Sequence, residues 1–426
     1  MLPDDIMVIM DDFELKNIIK ELLMRFHSSQ LPDIITRDIL LPDFRKANKV
    51  IAIIGPRRAG KTFVLYQSMK QLIKSGRQLT EFIYLNFENE KLAELKASQL
   101  GLILTAYNEL YEEKKPIFFL DEIQNVIGWE RFVRRLNDEG YLVYISGSNS
   151  KLLSKEIATA LRGRDYPIQV LPFSFKEFIN ARGLKLDKNW EFSPIKMRVK
   201  KAFNEYIALS GFPEVILENK LEFIDQYFKT MLFQDIIERY KITNTELMRL
   251  FMLFLAKQYS GNYSINKFNN FAKSSSYKSS TSTIQKYSRI VEDIYFCFFL
   301  KARQKSFKKE SAYLKKEYLY DHGFINYYNA EKDMGKLLEN IVAIELMRRK
   351  EAQLNHYLNG FECDFITKEN SIQVCHTINE GNKKREVGGL FEAVKKFGNA
   401  PVLITYDQEM KIDGIKTIPA WKWLLQ

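Results

Sequence analysis

Residues 49–62 read KVIAIIGPRRAGKT. An apolar, β-branched run feeds straight into GPRRAGKT (55–62), which satisfies G-x-x-x-x-G-K-[ST] at every position. The pattern has a geometric meaning. Gly55 and Gly60 let the backbone curl until its N–H groups point at phosphate oxygens. The following helix adds the positive end of its dipole. Lys61 reaches the β- and γ-phosphates, and the Thr62 hydroxyl ligates Mg²⁺. The run Gly55, Pro56, Arg57, Arg58, Ala59, Gly60, Lys61, Thr62 and Phe63 is the expected cradle of a nucleoside triphosphate. A plain glycine turn does not account for Lys and Thr following in this context.

The surrounding pattern places that loop in a fold. KTFVLYQSMKQLIKSG (61–76) has helical spacing and ends at a glycine. EFIYLNFE (81–88), PIFFLDE (116–122) and YLVYISGS (141–148) read as further strands. Helices are predicted over 89–113, 129–138 and 150–163. Short apolar strands alternating with helices imply an α/β fold with a parallel sheet covered on both faces. Ahead of it, ELKNIIKELLMRF (14–26) predicts a helix in a leader covering 1–46. After PFSFKEF (172–178) the alternation stops and 176–245 reads as mostly helical. A long helix near 335–350 is followed by the short strands NHYLNG, ECDFIT, SIQVCHT and PVLITY.

Bulk properties narrow the class. A 426-residue chain exceeds one ordinary core, so two to four domains are expected. No apolar run approaches a bilayer span, and the N-terminal stretch carries acids where a secretory signal carries bases. Three cysteines (Cys297, Cys363, Cys375) form no disulfide framework. These features predict a cytoplasmic protein with no membrane partner. A net charge of +11 permits nucleic-acid binding without demanding it.

Chemistry-bearing residues follow the strands. Asp121 and Glu122 end an apolar strand, where strand ends meet the ligand crevice of an open α/β sheet. Asp121 is expected to hold Mg²⁺ with Thr62, and Glu122 to orient or deprotonate the attacking water. Ser148 and Asn149 end the next strand and suit a polar contact between metal and γ-phosphate. Arg162 or Arg164 in ALRGRD (160–165) suits charge stabilisation at a γ-phosphate, in the same chain or a neighbour. No Asn-Lys-x-Asp guanine-reading motif follows, so ATP is the expected nucleotide.

These residues, in this order, resemble a family of uncharacterised archaeal and bacterial AAA-type P-loop ATPases. The resemblance runs through LPDIITRD (31–38), GPRRAGKT, YLNFEN (84–89), FFLDEIQ (118–124), GSNS (147–150), LRGRDYPIQVLPFSFKEF (161–178), SGFPEV (210–215) and YLYDHGF (318–324). It implies an ATPase core over 47–175, a helical lid over 176–245, a winged-helix-like module over 246–330 and a nuclease-like α/β domain over 331–426. It also favours Arg164 over Arg162.

The middle and the tail carry their own signals. SINKFNNFAK and SSTSTIQKYSRIVEDIYFCFF outline helix, turn, helix and wing. Lys273, Lys278, Lys286 and Arg289 lie along them, and KARQKSFKKESAYLKK (301–316) sets seven bases against one acid. DNA contact through 264–316 is the resulting expectation, with a protein partner as the other class and an oligomer allowed. In the tail, Glu339 and Asp364 fill two acidic positions of a nuclease-like site. The third position reads Gln373-Val374-Cys375, and Cys375 cannot supply the positive charge a lysine would. A degenerate nuclease with little or no cleavage is expected. Cys363, Cys375 and His376 match no zinc spacing, and Trp421 and Trp423 read as core anchors.

The sequence thus predicts a Mg²⁺-dependent ATPase. Hydrolysis is expected to change the angle between the α/β core and the helical half, switching a DNA- or protein-binding surface. Its rivals are a non-enzymatic, ATP-clamped interaction module and an ATP-gated nuclease.

Overall fold

The computed structural model describes residues 11–39, 41, 49–112, 114–148, 161, 163–303, 315–351, 354–359 and 361–426. The chain divides into two compact units, Met1–Val170 and Leu171–Gln426.

The first unit is built on strands β1 (Val50–Ile54), β2 (Phe82–Asn86), β3 (Ile117–Asp121), β4 (Val143–Gly147) and β5 (Asp165–Gln169). All pair in parallel, in the order β2-β3-β4-β1-β5. Successive side chains along a strand face opposite sides, and here both sides are apolar. Val50, Ala52 and Ile54 face one core with Ile83, Leu85, Phe118 and Leu120. Ile51 and Ile53 face the other with Phe82, Phe119 and Tyr144. Helix α1 (Asp12–His27) adds Leu15, Ile19 and Leu23 to the first core, one turn apart. Its N-terminus is capped by Asp11, which accepts the Glu14 N–H at 2.6 Å. Helix α2 (Lys61–Lys74) covers the second core with Val64, Leu65 and Met69.

The helix predicted over 89–113 is broken. Asn89 accepts the Lys91 N–H and closes a short turn over Glu90–Leu92. A second turn spans Ala97–Gln99, where Gln99 accepts the Lys96 N–H. Only Leu102–Leu110, here α3, is α-helical. These side chain to backbone bonds compete with a helix ladder. Helix α4 (Glu130–Asp138) matches expectation. Most of the helix predicted over 150–163 lies outside the described residues.

The second unit opens with helices α5 (Phe175–Ala181), α6 (Ile195–Ala208), α7 (Pro213–Glu218) and α8 (Phe223–Thr230). The last runs into π-helical turns over Met231–Glu238. Then follow α9 (Thr245–Gln258), β6 (Asn262–Tyr263), α10 (Ile265–Ser274), α11 (Thr281–Asp293), β7 (Cys297–Leu300) and β8 (Lys315–Leu319). The three strands form an antiparallel sheet in the order β6-β8-β7. After α12 (Gly323–Tyr328) come α13 (Met334–Arg348), β9 (Asn355–Asn359), β10 (Phe361–Ile366), β11 (Asn370–Cys375), α14 (Lys383–Phe397) and β12 (Ala400–Thr405). The chain closes with β13 (Lys411–Ile412), β14 (Ile415–Pro419) and α15 (Ala420–Trp423). These strands form a mixed sheet in the order β13-β14-β12-β11-β10-β9.

Three stretches singled out in the sequence meet inside this unit. The Asp321 carboxylate accepts the Ser210 hydroxyl at 2.7 Å, the Gly211 N–H at 2.8 Å and the Gly323 N–H at 2.7 Å. The Phe173 N–H donates to the Gly211 carbonyl at 2.6 Å. SGFPEV, YLYDHGF and PFSFKEF are therefore one buried clasp.

Cys363 and Cys375 are packed in an apolar core with Leu390 and Leu403, and His376 stacks on Tyr406. Among the described residues no group of three or more His, Cys, Asp or Glu side chains is arranged to hold a metal ion. Trp421 and Trp423 are buried. No described helix is long and apolar enough to cross a membrane.

Candidate nucleotide site

The loop after β1 has the backbone its glycines imply. Gly60 has φ +91° and Arg58 φ +63°. Gly55 is required for a second reason: a Cβ there would stand 1.9 Å from the Val170 carbonyl oxygen. That carbonyl follows β5, whose end is tied to β1 by the Val170 N–H bonding Ile54 O at 2.7 Å. Arg37, buried beside the loop, donates to the Ala59 carbonyl at 2.6 Å. Its main chain grips Gln67 of α2, accepting from Nε2 at 3.2 Å and donating to Oε1 at 2.8 Å. The LPDIITRD stretch thus braces the phosphate loop. Arg57 pairs with Glu88 at 3.1 Å, and Phe63 is exposed, its ring edge-on to Tyr66.

Lys61, Thr62, Asp121 and Glu122 converge. Lys61 Nζ lies 3.1 Å from Glu122 Oε1 and donates to the Pro56 carbonyl at 3.2 Å. Thr62 Oγ1 donates to Asp121 Oδ2 at 2.8 Å. Burial pushes the Asp121 carboxyl above the ordinary carboxylate value, and the Glu122 charge adds to it. For Glu122, burial pushes the same way, but the Lys61 ammonium, the Gln124 hydrogen bond and the Arg57 charge together outweigh it and hold the carboxyl below that value. Glu122 sits at φ +51°, a left-handed conformation uncommon for a non-glycine residue.

Two positioning residues are not evident from the motif. Ser146 on β4 donates to Asp121 Oδ1, while its oxygen accepts the Glu122 N–H at 2.9 Å. Tyr84 on β2 donates to Asp121 Oδ2 at 3.2 Å, and Tyr66 in turn donates to Tyr84 at 3.2 Å. Strands on both sides of β3 therefore fix the acid. Their only sequence signal is a polar residue breaking an otherwise apolar strand.

The donor set fits Mg²⁺. Thr62 and Asp121 present hard oxygens at the start of a helix, and Mg²⁺ takes its remaining ligands from phosphates and water. Ser148 is buried directly after β4, and its hydroxyl has no hydrogen-bond partner among the described residues. Asn149 and Arg162 lie outside the described residues.

Of the two placements expected for Arg164, the same-chain one fails. Arg164 precedes β5, and Asp165 lies opposite Val50, at the strand edge remote from the loop. The Arg164 carbonyl accepts the Val50 N–H at 2.8 Å, and its side chain pairs with Asp138 at the end of α4. Four residue steps, about 13 Å at roughly 3.3 Å each, separate that edge from Ile54. Arg164 therefore does not reach a γ-phosphate held by its own loop.

The tail residues also meet. Glu339 on α13 and Asp364 on β10 both contact one lysine, and the Asp364 N–H donates to Gln373 Oε1 at 3.3 Å. That lysine is Lys316 of β8, which the sequence grouped with bases facing DNA. It is buried, so it does not belong to a phosphate-contacting surface.

With this geometry in place, comparison with known proteins is informative. The AAA domain matches residues 47–179, and a domain of unknown function matches residues 200–334. An uncharacterized protein of Methanocaldococcus jannaschii is 36% identical over 418 residues, covering 92% of this chain and 91% of that protein. An uncharacterized protein of Haemophilus influenzae is 30% identical over 405 residues, covering 91% and 96%. The chain belongs to their family.

This chain joins an AAA-type P-loop core to a larger second unit. Solved structures add distant likenesses. The Walker-type ATPase of Pyrococcus abyssi aligns over 75% of this chain and 95% of its own, at 13% identity and TM-score 0.36. Cdc6p from Pyrobaculum aerophilum aligns over 66% and 91%, at 15% identity and TM-score 0.29.

Proposed function

We propose that this protein is an ATP-binding, Mg²⁺-dependent ATPase that works as a nucleotide-driven switch on DNA or a DNA-associated partner. The observation that carries the reading is the convergence of Lys61, Thr62, Asp121 and Glu122 at the end of the parallel sheet. Gly55 to Phe63 cradle the phosphates. Lys61 exchanges Glu122 for the β- and γ-phosphates, which frees the carboxylate to accept a proton from water. Thr62 and Asp121 would hold Mg²⁺, which would neutralise charge on the phosphates. Asn149 contributes a polar contact near the γ-phosphate. Arg164 serves a nucleotide bound to a neighbouring copy.

The DNA reading rests on residues 245–319. Their order is helix, strand, helix, helix, strand, strand, as in a winged helix. Lys273, Lys278, Lys286 and Arg289 are exposed along α10, α11 and the turn between them. The C-terminal order α13-β9-β10-β11-α14-β12 supports a nuclease-like domain that cleaves little or nothing.

The test is Mg²⁺-dependent ATP hydrolysis with and without duplex DNA. Turnover is expected to require Lys61, to rise with DNA and to vanish in Lys61→Ala. Equal hydrolysis by Lys61→Ala would reject the ATPase assignment. Turnover indifferent to DNA would move the switch to a protein partner.

A further inference from the structure

Lys61 and Arg57 of the phosphate loop each rest on an acid from the end of a neighbouring strand. Lys61 faces Glu122, directly after β3, at 3.1 Å. Arg57 Nη1 lies 3.1 Å from Glu88 Oε1, two residues beyond β2. Glu88 is held at the same end of the sheet. Its N–H donates to Asn86 Oδ1 at 2.8 Å, and the preceding Phe87 N–H donates to the Asp121 carbonyl at 2.9 Å. In the sheet β3 and β4 lie between β1 and β2. The Arg57 side chain therefore reaches from the loop after β1 past the strand end that carries Asp121 and Glu122.

The two pairs differ in how firmly they are held. Side-chain exposures are 4% and 11% for Lys61 and Glu122, but 27% and 45% for Arg57 and Glu88. An ion pair open to water is weak and readily exchanged. The Arg57 charge also acts on Glu122, where it helps to hold the carboxyl down. The guanidinium and the carboxylate that would take a proton from water thus share one field. Phosphoryl transfer spreads charge over several oxygens, and a planar guanidinium with several donors suits them. Arg164 does not reach a γ-phosphate held by its own loop. Arg57 needs no second chain, because it is part of that loop.

We propose that Arg57 is a catalytic residue of its own chain, leaving Glu88 to contact the γ-phosphoryl oxygens as ATP is hydrolysed. This assignment rests on the nucleotide reading above and adds a same-chain arginine to it. In the step, the water oxygen bonds to the γ-phosphorus. The bond from that phosphorus to the β–γ bridging oxygen breaks, and its electron pair stays on ADP. The water proton passes to Glu122. Arg57 makes and breaks no covalent bond; it donates hydrogen bonds to the phosphoryl oxygens and balances their charge. Glu88 takes the guanidinium back when phosphate leaves.

The experiment compares the full-length wild type with Arg57→Gln and Lys61→Ala. Phosphate release by Arg57→Gln is expected to fall about 10²–10³-fold. Calorimetric binding separates chemistry from loop shape. ADP alone should bind Arg57→Gln as it binds the wild type, because ADP has no γ-phosphate. ADP with aluminium fluoride, which stands in for the phosphoryl group in transfer, should bind the variant at least about tenfold more weakly than the wild type. Wild-type turnover or wild-type aluminium fluoride binding by Arg57→Gln overturns the proposal. So does an equal loss of ADP affinity, because Arg57 then only shapes the loop. Lys61→Ala marks the other failure: if it hydrolyses ATP as the wild type does, the nucleotide reading itself falls. An equimolar mixture of Arg57→Gln and Lys61→Ala is expected to stay inactive. Turnover recovered in the mixture would put Arg57 at a neighbour's nucleotide, against the proposal. Glu88→Gln removes the resting partner, so a non-hydrolysable ATP analogue should bind it about two- to fivefold tighter; unchanged or weaker binding refutes the exchange.

Discussion

Glu122→Gln isolates the electrostatics of the nucleotide site. Lys61 and Glu122 face each other at 3.1 Å with side-chain exposures of 4% and 11%. At an effective dielectric of about 20, the gross Coulomb attraction at that distance is about 5 kcal/mol. ATP takes Lys61 from this partner, so part of the attraction is surrendered on binding. The phosphates return most of it. If about a quarter goes uncompensated, ATP binds the wild type about 1.4 kcal/mol more weakly than it binds a chain without the Glu122 charge, about tenfold in Kd. The glutamine keeps the size and a hydrogen-bonding oxygen but cannot take a proton. Glu122→Gln should therefore bind ATP about tenfold tighter and lose about 10²–10⁴ in turnover. Calorimetric titration with ATP and a phosphate-release assay read the two effects separately. Unchanged or weaker binding by a folded variant would show that the Lys61 pair does not oppose nucleotide. Retained turnover would remove Glu122 from the chemistry.

Other perturbations test the supports. Tyr84→Phe deletes one donor to Asp121, worth about 0.5–1.5 kcal/mol, and should raise the Mg²⁺ concentration for half-maximal turnover about two- to tenfold while ATP affinity without metal stays constant; an unchanged Mg²⁺ titration counts against a positioning role. Gly55→Ala forces a Cβ to 1.9 Å from the Val170 carbonyl, beyond the overpacking that costs about 1–3 kcal/mol, so a large drop in Tm or insolubility is expected; a wild-type melting curve would disprove the close approach. Burial, with the Asp364 charge adding to it, pushes the Glu339 pKa from 4.5 up to about 8. The folded state then holds a proton that the unfolded state releases, so this contribution is fully present below pH about 4.5 and lost as pH rises through about 8. Thermal unfolding between those values should show a steeper decline for the wild type than for Glu339→Gln, and parallel curves would reject the shift.

The first unit was largely legible because its chemistry is local. Consecutive residues make the phosphate loop, and apolar runs at regular intervals make a parallel sheet. What failed did so for physical reasons. Between 89 and 113 the apolar residues suggested a helix, but Asn89 and Gln99 offered the backbone nearer partners. Arg164 was expected at a γ-phosphate of the same chain or a neighbour; a residue that precedes a parallel strand lands on the edge away from its own ligand crevice, so only the same-chain placement fails. Ser146 and Tyr84 matter only through strand neighbours on either side of β3, and strand order is not written in spacing.

Lys316 shows the same limit in its sharpest form. In the dipeptide Lys315-Lys316 one side chain is exposed and the other buried, because a strand alternates its faces. Composition alone groups both with a basic surface. The acids that hold Lys316 lie 23, 46 and 48 positions later in the chain. The sequence argument looked for positive charge two residues after Gln373 and found Cys375, a residue the fold places in an apolar core. Cys375 also borders the cavity that Glu339 and Asp364 line, but its thiol brings them no positive charge. The charge arrives instead from a strand of a different sheet. The demand for a cation beside Glu339 and Asp364 is unchanged; only the element that supplies it differs.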